Sequence, residues 1–476
     1  MATVKLFNHH FRTPFLFLLV LEFLIFFTSV YVGEYLRFGE FLWQPQIENL
    51  SNFPLRALIF SIALLAGMIA MGQYQTPGPL GRFYLPAITV RVFISFALGL
   101  LALVIFYYLM PDLLLGRGIF AYSISVSFAT IIVVRLIFLH TVDGRSLRRK
   151  ILVYGASELA SHLTDKKDAN RALSPKNASY MIHGFVPVEG EEICVPDQYI
   201  VKPGNDLSEY CSAYNVDEIV LAIADRRKKM PVDALLDCKL ANINIIDFVG
   251  FWEREKSMIR LDMMNPSWLI FGDGTRQGSI SAFLARTFDI LISALLLTMM
   301  FPFLVITAIL IFIESGFKGP IFYRQTRVGL NGKTFELLKF RSMIVNAEKD
   351  GSPQWAQQND MRVTRVGKFI RKVRIDELPQ ILNIFNGDMS LVGPRPERPE
   401  FVAELEKKIP FYSARHSVKP GLAGWAQLKY PYGASEEDTY NKLQYDLYYV
   451  KNHSLIMDVL VLLQTVEVIV LGKGAR

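Results

Sequence analysis

Residues 373–397 read VRIDELPQILNIFNGDMSLVGPRPE. Two adjacent acids, Asp376 and Glu377, stand just before a proline, an apolar helical run follows, and a stiff Pro394-Arg395-Pro396 closes the stretch. Pro379 is tolerated in a first helical turn, so Asp376 falls at or near a helix N-terminus. There the backbone dipole favours an ionised carboxylate. Such a carboxylate can attack phosphorus and form an acyl phosphate. Glu377 can hold Mg2+ with it, because hard divalent ions take one or two carboxylates plus substrate phosphates. Taken alone, an Asp-Glu pair at a helix start reads first as a capping device.

Three other stretches of the last third bear on that choice. Arg395, between two prolines, sits on a stiff backbone, so its fork loses little entropy on binding a phosphate. In Lys339-Phe-Arg341-Ser-Met343 the two bases alternate along an expected strand and face one side, which suits a diphosphate clamp. A solvated strand face is the alternative. Lys419-Pro-Gly-Leu-Ala-Gly-Trp-Ala-Gln427 adds base and turn residues, and could be turns alone. Their co-occurrence behind a membrane-like segment points to phosphate chemistry.

That segment belongs to an apolar chain. Of 476 residues, 51% are hydrophobic and 20% charged, and mean hydropathy is +0.28. A membrane protein of several domains is the class this implies. The net charge of +7 suits anionic lipid or phosphate partners. Nucleic acid is not expected, because no recognition motif accompanies the charge. Cys194, Cys211 and Cys238 form no CxxC, which argues against a disulfide framework or zinc site and fits a reducing compartment. The first apolar run is too long for a cleaved signal.

Four apolar blocks, roughly Pro14–Tyr35, Pro54–Met71, Leu85–Met110 and Ile119–His140, each approach the ~20 residues that cross ~30 Å of hydrocarbon. Lys5, Arg12, Arg82, Arg145, Arg148, Arg149 and Lys150 flank them, and the loop after Arg37 carries no Lys or Arg. Both ends of a four-helix bundle are therefore expected in the cytoplasm. Glu22, Arg91 and Arg135 lie inside the blocks, where charges are paired or functional. The expectation is an interhelical Glu22–Arg pair that fixes packing.

From Lys150 the texture changes. RKILVYGAS, DEIVLAI and INIIDF read as buried parallel strands of an α/β Rossmann-like domain. Its Gly155-Ala-Ser157-Glu-Leu-Ala160 turn keeps only the first glycine of a phosphate-cradling GxGxxG, so a ligand-free scaffold or regulatory domain is expected over a nucleotide site. After a linker near Asp273–Ser281 comes Phe288–Phe312 with Pro302 near its middle. Arg286 precedes it, and Lys318, Arg324 and Arg327 follow. Basic residues at both ends predict a re-entrant helical hairpin, about 283–316, broken at Pro302. The final SLIMDVLVLLQTVEVIVL is interrupted by Asp458, Gln464 and Glu467, which predicts an interfacial or core-packed helix. The expected domains are 1–145 (bundle), 146–272 (α/β) and 276–476, the last mostly helical with a small β element.

GPIFYRQTRVG, KFRSM, DELPQILNIFNGDMSLVGPRPE and KPGLAGWAQ closely resemble the bacterial sugar transferase family, the monotopic phosphoglycosyl transferases, over about Ile280–Arg476. The bundle and α/β domain resemble its large exopolysaccharide-type branch, in which the α/β domain is CoA-binding-like. The resemblance implies transfer of hexose-1-phosphate from a UDP-sugar to polyprenyl (undecaprenyl) phosphate, with release of UMP, at the cytosolic face of a bacterial inner membrane. By the same resemblance Asp376 is the nucleophile and Glu377 the partner acid that helps hold Mg2+ or manages the acceptor proton. Lys339, Arg371, Arg395 and Lys419 match phosphate- or nucleotide-contacting positions, and Asp446 and Asp458 acidic positions near the site. Two positions depart from the pattern. Phe301-Pro302 stands where Ser-Pro is common, and Ala423 where Thr is usual in the glycine turn. Glucose and galactose are both open as the sugar, with N-acetylated sugars less favoured. The bundle and α/β domain offer surfaces for a homodimer.

Two alternatives are weighed against this reading. A non-catalytic membrane scaffold or nucleotide-sensing regulator would not need the intact Asp-Glu pair and its arginines. An NAD-dependent dehydratase would need a Tyr-x-x-x-Lys pair, which Lys150–Phe271 lacks.

Overall fold

The computed structural model describes residues 3–6, 9–39, 52–74, 85–141, 148–164, 180–204, 206–223, 230–264, 278–345, 362–430 and 435–470. Arg82, Arg145, most of the loop after Arg37 and most of the Asp273–Ser281 linker lie outside them, as do the side chains of Lys5 and Arg12. The chain forms two compact units, essentially His10–Ser257 and Met258–Arg476.

In the first unit the four apolar blocks are helices: α1 (Thr13–Phe38), α2 (Phe53–Ala70), α3 (Leu85–Leu109) and α4 (Arg117–Thr141). With the long helix of the second unit they make five helices, among the described residues, apolar and long enough to cross a membrane. Gly67 and Gly99 let α2 and α3 approach closely. A Cβ on Gly67 would strike the Ser95 carbonyl, and one on Gly99 the Leu64 backbone, the small-residue contact that apolar helices use where lipid gives no hydrophobic drive. Glu22 of α1 is fully buried and meets Arg135 of α4, at 2.6 Å to Nε and 3.0 Å to Nη2. Arg135 also donates to the Gln73 carbonyl, and the Tyr74 hydroxyl donates to Glu22. The expected interhelical pair therefore forms with Arg135.

Four parallel strands follow: β1 (Arg149–Tyr154), β2 (Tyr180–Val186), β3 (Glu218–Leu221) and β4 (Asn244–Asp247), ordered β2-β1-β3-β4, and each is followed by a helix, α5 (Glu158–Ser161), α6 (Leu207–Ala213), α7 (Val232–Leu240) and α8 (Phe248–Lys256). The glycine turn after β1 is packed shut. A Cβ on Gly155 would collide with the Ala222 carbonyl, Cys194 N donates to Ala156 O at 2.8 Å, and Ser157 Oγ turns inward to Ala222 O. All three cysteines are free thiols, with Cys211 and Cys238 in the core.

The second unit begins earlier than the expected boundary. Ile259, Leu261 and Met264 bury into its core, and Ile259 N donates to Gln444 O. Its first long element is α9 (Ser279–Glu314), one 36-residue helix with Pro302 inside. Helical structure is continuous through Pro302, where the proline removes one hydrogen bond and its ring kinks the helix. Both ends of α9 are fastened to this unit. Arg286 donates to Ile384 O and Phe385 O, and Asp289 accepts from Ser390 Oγ and Leu391 N. At the far end Ile311 packs with Phe340 and Ile370, and Glu314 accepts from Val366 N.

Strands β5 (Phe322–Val328) and β6 (Thr334–Phe340) form an antiparallel hairpin. Helix α10 (Arg365–Lys372) is capped by Thr364, whose side chain accepts from Gly367 N. A 3-10 turn (Ile375–Gln380) runs into α11 (Ile381–Asn386), and β7 (Ser390–Val392) pairs in parallel with β8 (Gly421–Ala423). Helices α12 (Pro399–Lys408), α13 (Trp425–Lys429), α14 (Glu436–Asn452) and α15 (Leu455–Val470) complete the unit. Met457 and Val461 of α15 lie in the core, so the last apolar run is core-packed.

Removing one partner of the buried pair leaves a charge stranded among apolar helices. Glu22→Leu should cost about 3–5 kcal/mol of stability, whereas Glu22→Leu with Arg135→Leu should lose far less. Thermal unfolding in detergent separates the two. Equal losses would show that charge pairing does not hold α1 to α4.

Candidate active site

The site is built on the 3-10 turn and the edge of the β-hairpin. Arg374, just before the turn, adopts φ +57°, a left-handed conformation that a non-glycine residue takes only under constraint. It reverses the chain between α10 and the turn and brings Asp376 and Glu377 round to β6. Asn383 then stitches α11 to that strand: its Oδ1 accepts from Leu338 N (3.0 Å) and its Nδ2 donates to Glu336 O (2.7 Å). Lys339 is thereby set opposite the acidic pair.

The two acids are treated differently. Glu377 is 8% exposed and surrounded by cations. Its Oε1 lies 2.6 Å from Arg395 Nη2 and 3.3 Å from Lys339 Nζ, and its Oε2 lies 3.6 Å from Arg374 Nη1. Burial alone would raise its pKa, but Arg395, Lys339 and Arg374 outweigh burial and hold it well below the usual carboxylate range. Asp376 makes no hydrogen bond or ion pair among the described residues. Burial and the charge of Glu377 push its pKa up to about 6, against the pull of Lys339, Arg395 and Arg371. Burial pushes the Lys339 ammonium down, countered by Glu377. One acid is thus a permanently ionised counter-charge, and its neighbour a carboxylate with open lone pairs among cations. Such a site can take a phosphorylated ligand and offer it an oxygen nucleophile.

Residues 280–472 match the bacterial sugar transferase family. A UDP-glucose:undecaprenyl-phosphate glucose-1-phosphate transferase of Caulobacter vibrioides is 42% identical over 183 residues, 38% of this chain and 67% of that protein. The chain belongs to the bacterial sugar transferase family. It is also similar to a UDP-N-acetylgalactosamine-undecaprenyl-phosphate N-acetylgalactosaminephosphotransferase of Aeromonas hydrophila, 44% identical over 242 residues, 51% of this chain and 56% of that one. A UDP-galactose-lipid carrier transferase of Erwinia amylovora is 38% identical over 209 residues, 41% and 42% of the two chains. The chain spans about half the length of the first curated relatives it matches.

Within this family framework, the structure brings together Asp376, Glu377, Lys339, Arg371 and Arg395. Four further residues that sequence placed with them have other partners. Arg341 leaves the strand alternation because β6 ends at Phe340: its N–H goes to Ile321 O, and its guanidinium lies over Gly319. Lys419 stands beside Arg286, Asp289 and Asp388 at the opposite end of α11, and burial and Arg286 lower its pKa. Asp446 is buried against Arg415, at 2.8 Å. Asp458 accepts from Tyr449 at 2.7 Å and faces His453 at 3.3 Å under β7. Both acids are buried and paired inside the fold. Sequence reasoning missed Arg374, Asn383 and Arg415. Only Arg374 carried a signal, one helical turn ahead of Glu377.

Neutralising Glu377 removes the negative neighbour of Asp376 and frees two cations for it. Glu377→Gln should therefore move the Asp376 titration below its midpoint of about 6. Infrared difference spectra against Asp376→Asn would follow it. An unchanged or higher midpoint would contradict the division of roles.

Proposed function

We propose that the chain transfers a hexose-1-phosphate from a UDP-sugar to undecaprenyl phosphate. The observation that carries this is the open carboxylate of Asp376 beside the cation-bound carboxylate of Glu377. An Asp376 oxygen attacks the β-phosphorus of the UDP-sugar. The bond from that phosphorus to the oxygen bridging the two phosphates breaks, and UMP leaves. An oxygen of the lipid phosphate then attacks the same phosphorus and displaces the carboxylate, giving the lipid-diphosphate sugar. Lys339, Arg395 and Arg371 spread positive charge where the phosphates gather charge. Glu377 keeps those cations from repelling one another when substrate is absent.

The donor set fits Mg2+ in a limited way. The Glu377 oxygens already face three cations, and no cluster of three metal-ligating side chains occurs among the described residues. A dication would be held by Asp376, with Glu377 at its flank, waters and substrate phosphate, as magnesium prefers. It would supply charge neutralisation on the diphosphate.

The membrane arrangement follows the same reading. A straight 36-residue helix would be about 54 Å long, well beyond the ~30 Å hydrocarbon core. With Arg286 and Asp289 near one end and Glu314 at the other all bonded to one unit, we read α9 as entering and leaving one leaflet. The catalytic unit then lies on the cytosolic face, where UDP-sugars are made. The parallel β2-β1-β3-β4 sheet is read as a Rossmann-like accessory domain. Glucose, galactose and N-acetylgalactosamine are all candidate sugars, given the donors in the relatives' names.

Asp376→Asn should abolish UMP release from every UDP-sugar while the protein stays in the membrane; turnover by this variant would remove the nucleophile. Attack needs the ionised form, so kcat/KM of the wild type should be flat above the Asp376 pKa of about 6 and fall tenfold per pH unit below it. A profile level down to pH 4.5 would contradict that assignment.

A further inference from the structure

Every carbonyl of the Pro394–Glu397 loop is held. Gly421 N donates to Pro394 O (3.0 Å), Arg415 Nη2 to Arg395 O (2.9 Å), Arg327 Nη1 to Pro396 O (3.0 Å) and Val328 N to Glu397 O (2.9 Å). The reason begins with composition. Pro394 and Pro396 have no N–H, so the loop is poor in ladder donors and is fixed mainly through its acceptors. At Arg395 and Pro396 arginine side chains do the bonding.

Arg415 is the more constrained of the two. It is 6% exposed and lies over the Tyr412 ring. Its Nη1 donates to the Tyr412 hydroxyl (2.7 Å), and its Nη2 pairs with Asp446 Oδ2 (2.8 Å), itself buried on α14. A buried ion pair adds little stability over apolar packing of the same volume. It does fix direction, because the guanidinium is planar and its donors diverge in a rigid fork. The fork here joins a helix to the main chain of Arg395, whose own Nη2 reaches Glu377 Oε1 at 2.6 Å.

We infer that Arg415, charge-balanced by Asp446, is a positioning residue: it holds the Arg395 carbonyl so that the Arg395 fork points at Glu377 and the incoming diphosphate. This rests on the reading of Asp376 as phosphoryl acceptor. A misplacement of about 1 Å in such a site costs on the order of a hundredfold in rate.

The test is a double-mutant cycle on single-turnover UMP release, using the whole chain in detergent. UDP-glucose, UDP-galactose and UDP-N-acetylgalactosamine are the donors. Arg415→Lys removes the fork but keeps the charge, and should slow release about 10- to 100-fold. Arg395→Lys replaces an aimed fork with a point charge on a flexible stem, which needs no aiming. The double variant should therefore fall within about threefold of Arg395→Lys alone. Losses that multiply would overturn the inference, since general destabilisation has no reason to vanish when Arg395 is changed. Should Arg415→Lys fail to fold, the same two outcomes are read from Asp446→Asn, which keeps the shape of the acid. A wild type that releases no UMP from any of the three donors removes the phosphoryl-transfer reading and this role with it. An active wild type with multiplying losses removes this role alone.

Discussion

The catalytic unit turns on one buried carboxylate and the cations around it. Lys339, Arg395 and Arg374 come from a strand, a proline-bound loop and a helix end, and all three lie within 4 Å of Glu377. Desolvated cations at that spacing repel strongly, and a central anion offsets the repulsion. Because Glu377 absorbs this charge, Asp376 can sit among the same cations without being locked into a salt bridge. A nucleophile tied to an arginine would have to break that tie before attacking phosphorus. Adjacency in sequence thus becomes a division of labour: the 3-10 turn sends one acid inward as counter-charge and leaves the other facing substrate.

The backbone has to deliver three distant segments to that point with little freedom. The αL residue Arg374 turns the chain, and Asn383 docks α11 on β6. The acceptors of Pro394–Glu397 are pinned from three other parts of the unit. In each case a polar group inside the fold is matched by a specific partner, as buried polar groups require. The arrangement is rigid for the same reason that it is stable: releasing any one partner would leave an unpaired donor or acceptor in a dry interior.

Much of this was legible in the sequence. Apolar block length and flanking charge gave the four N-terminal helices, and short β-branched runs gave three of the four parallel strands, β2 (YMIHGFV) being missed. Asp376, Glu377, Lys339 and Arg395 could be read because proline, base and acid co-occur in short stretches whose chemistry is local. What failed was what depends on tertiary closure. Alternation suggested that Arg341 would join Lys339, but the ladder ends at Phe340 and the next N–H is drawn to Ile321. Lys419, Asp446 and Asp458 carried the right charge for a phosphate site, and their burial against Arg286, Arg415 and Tyr449 has no signature in spacing. A proline inside an apolar run reads as a break, and α9 stays helical on both sides of Pro302.

The position of α9 bears directly on the chemistry. Near its start, Arg286 bonds the last carbonyls of α11, the helix whose opening turn carries Asp376. Those carbonyls hold the negative end of the backbone dipole; Gly387 N also donates to Ile384 O, and the guanidinium adds charge and hydrogen bonding at once. Asp289, one turn on, is tied to β7, which leads into the loop of Arg395. The apolar helix therefore grips both the element that follows Asp376 and the strand that leads to Arg395. Neither can change depth relative to α9 without breaking charged hydrogen bonds. If α9 is seated in one leaflet as proposed, the height of Asp376 above the hydrocarbon is set by the same bonds that hold this unit together. On that proposal a lipid phosphate, itself confined to the headgroup plane, would meet Asp376 without either partner leaving its solvent.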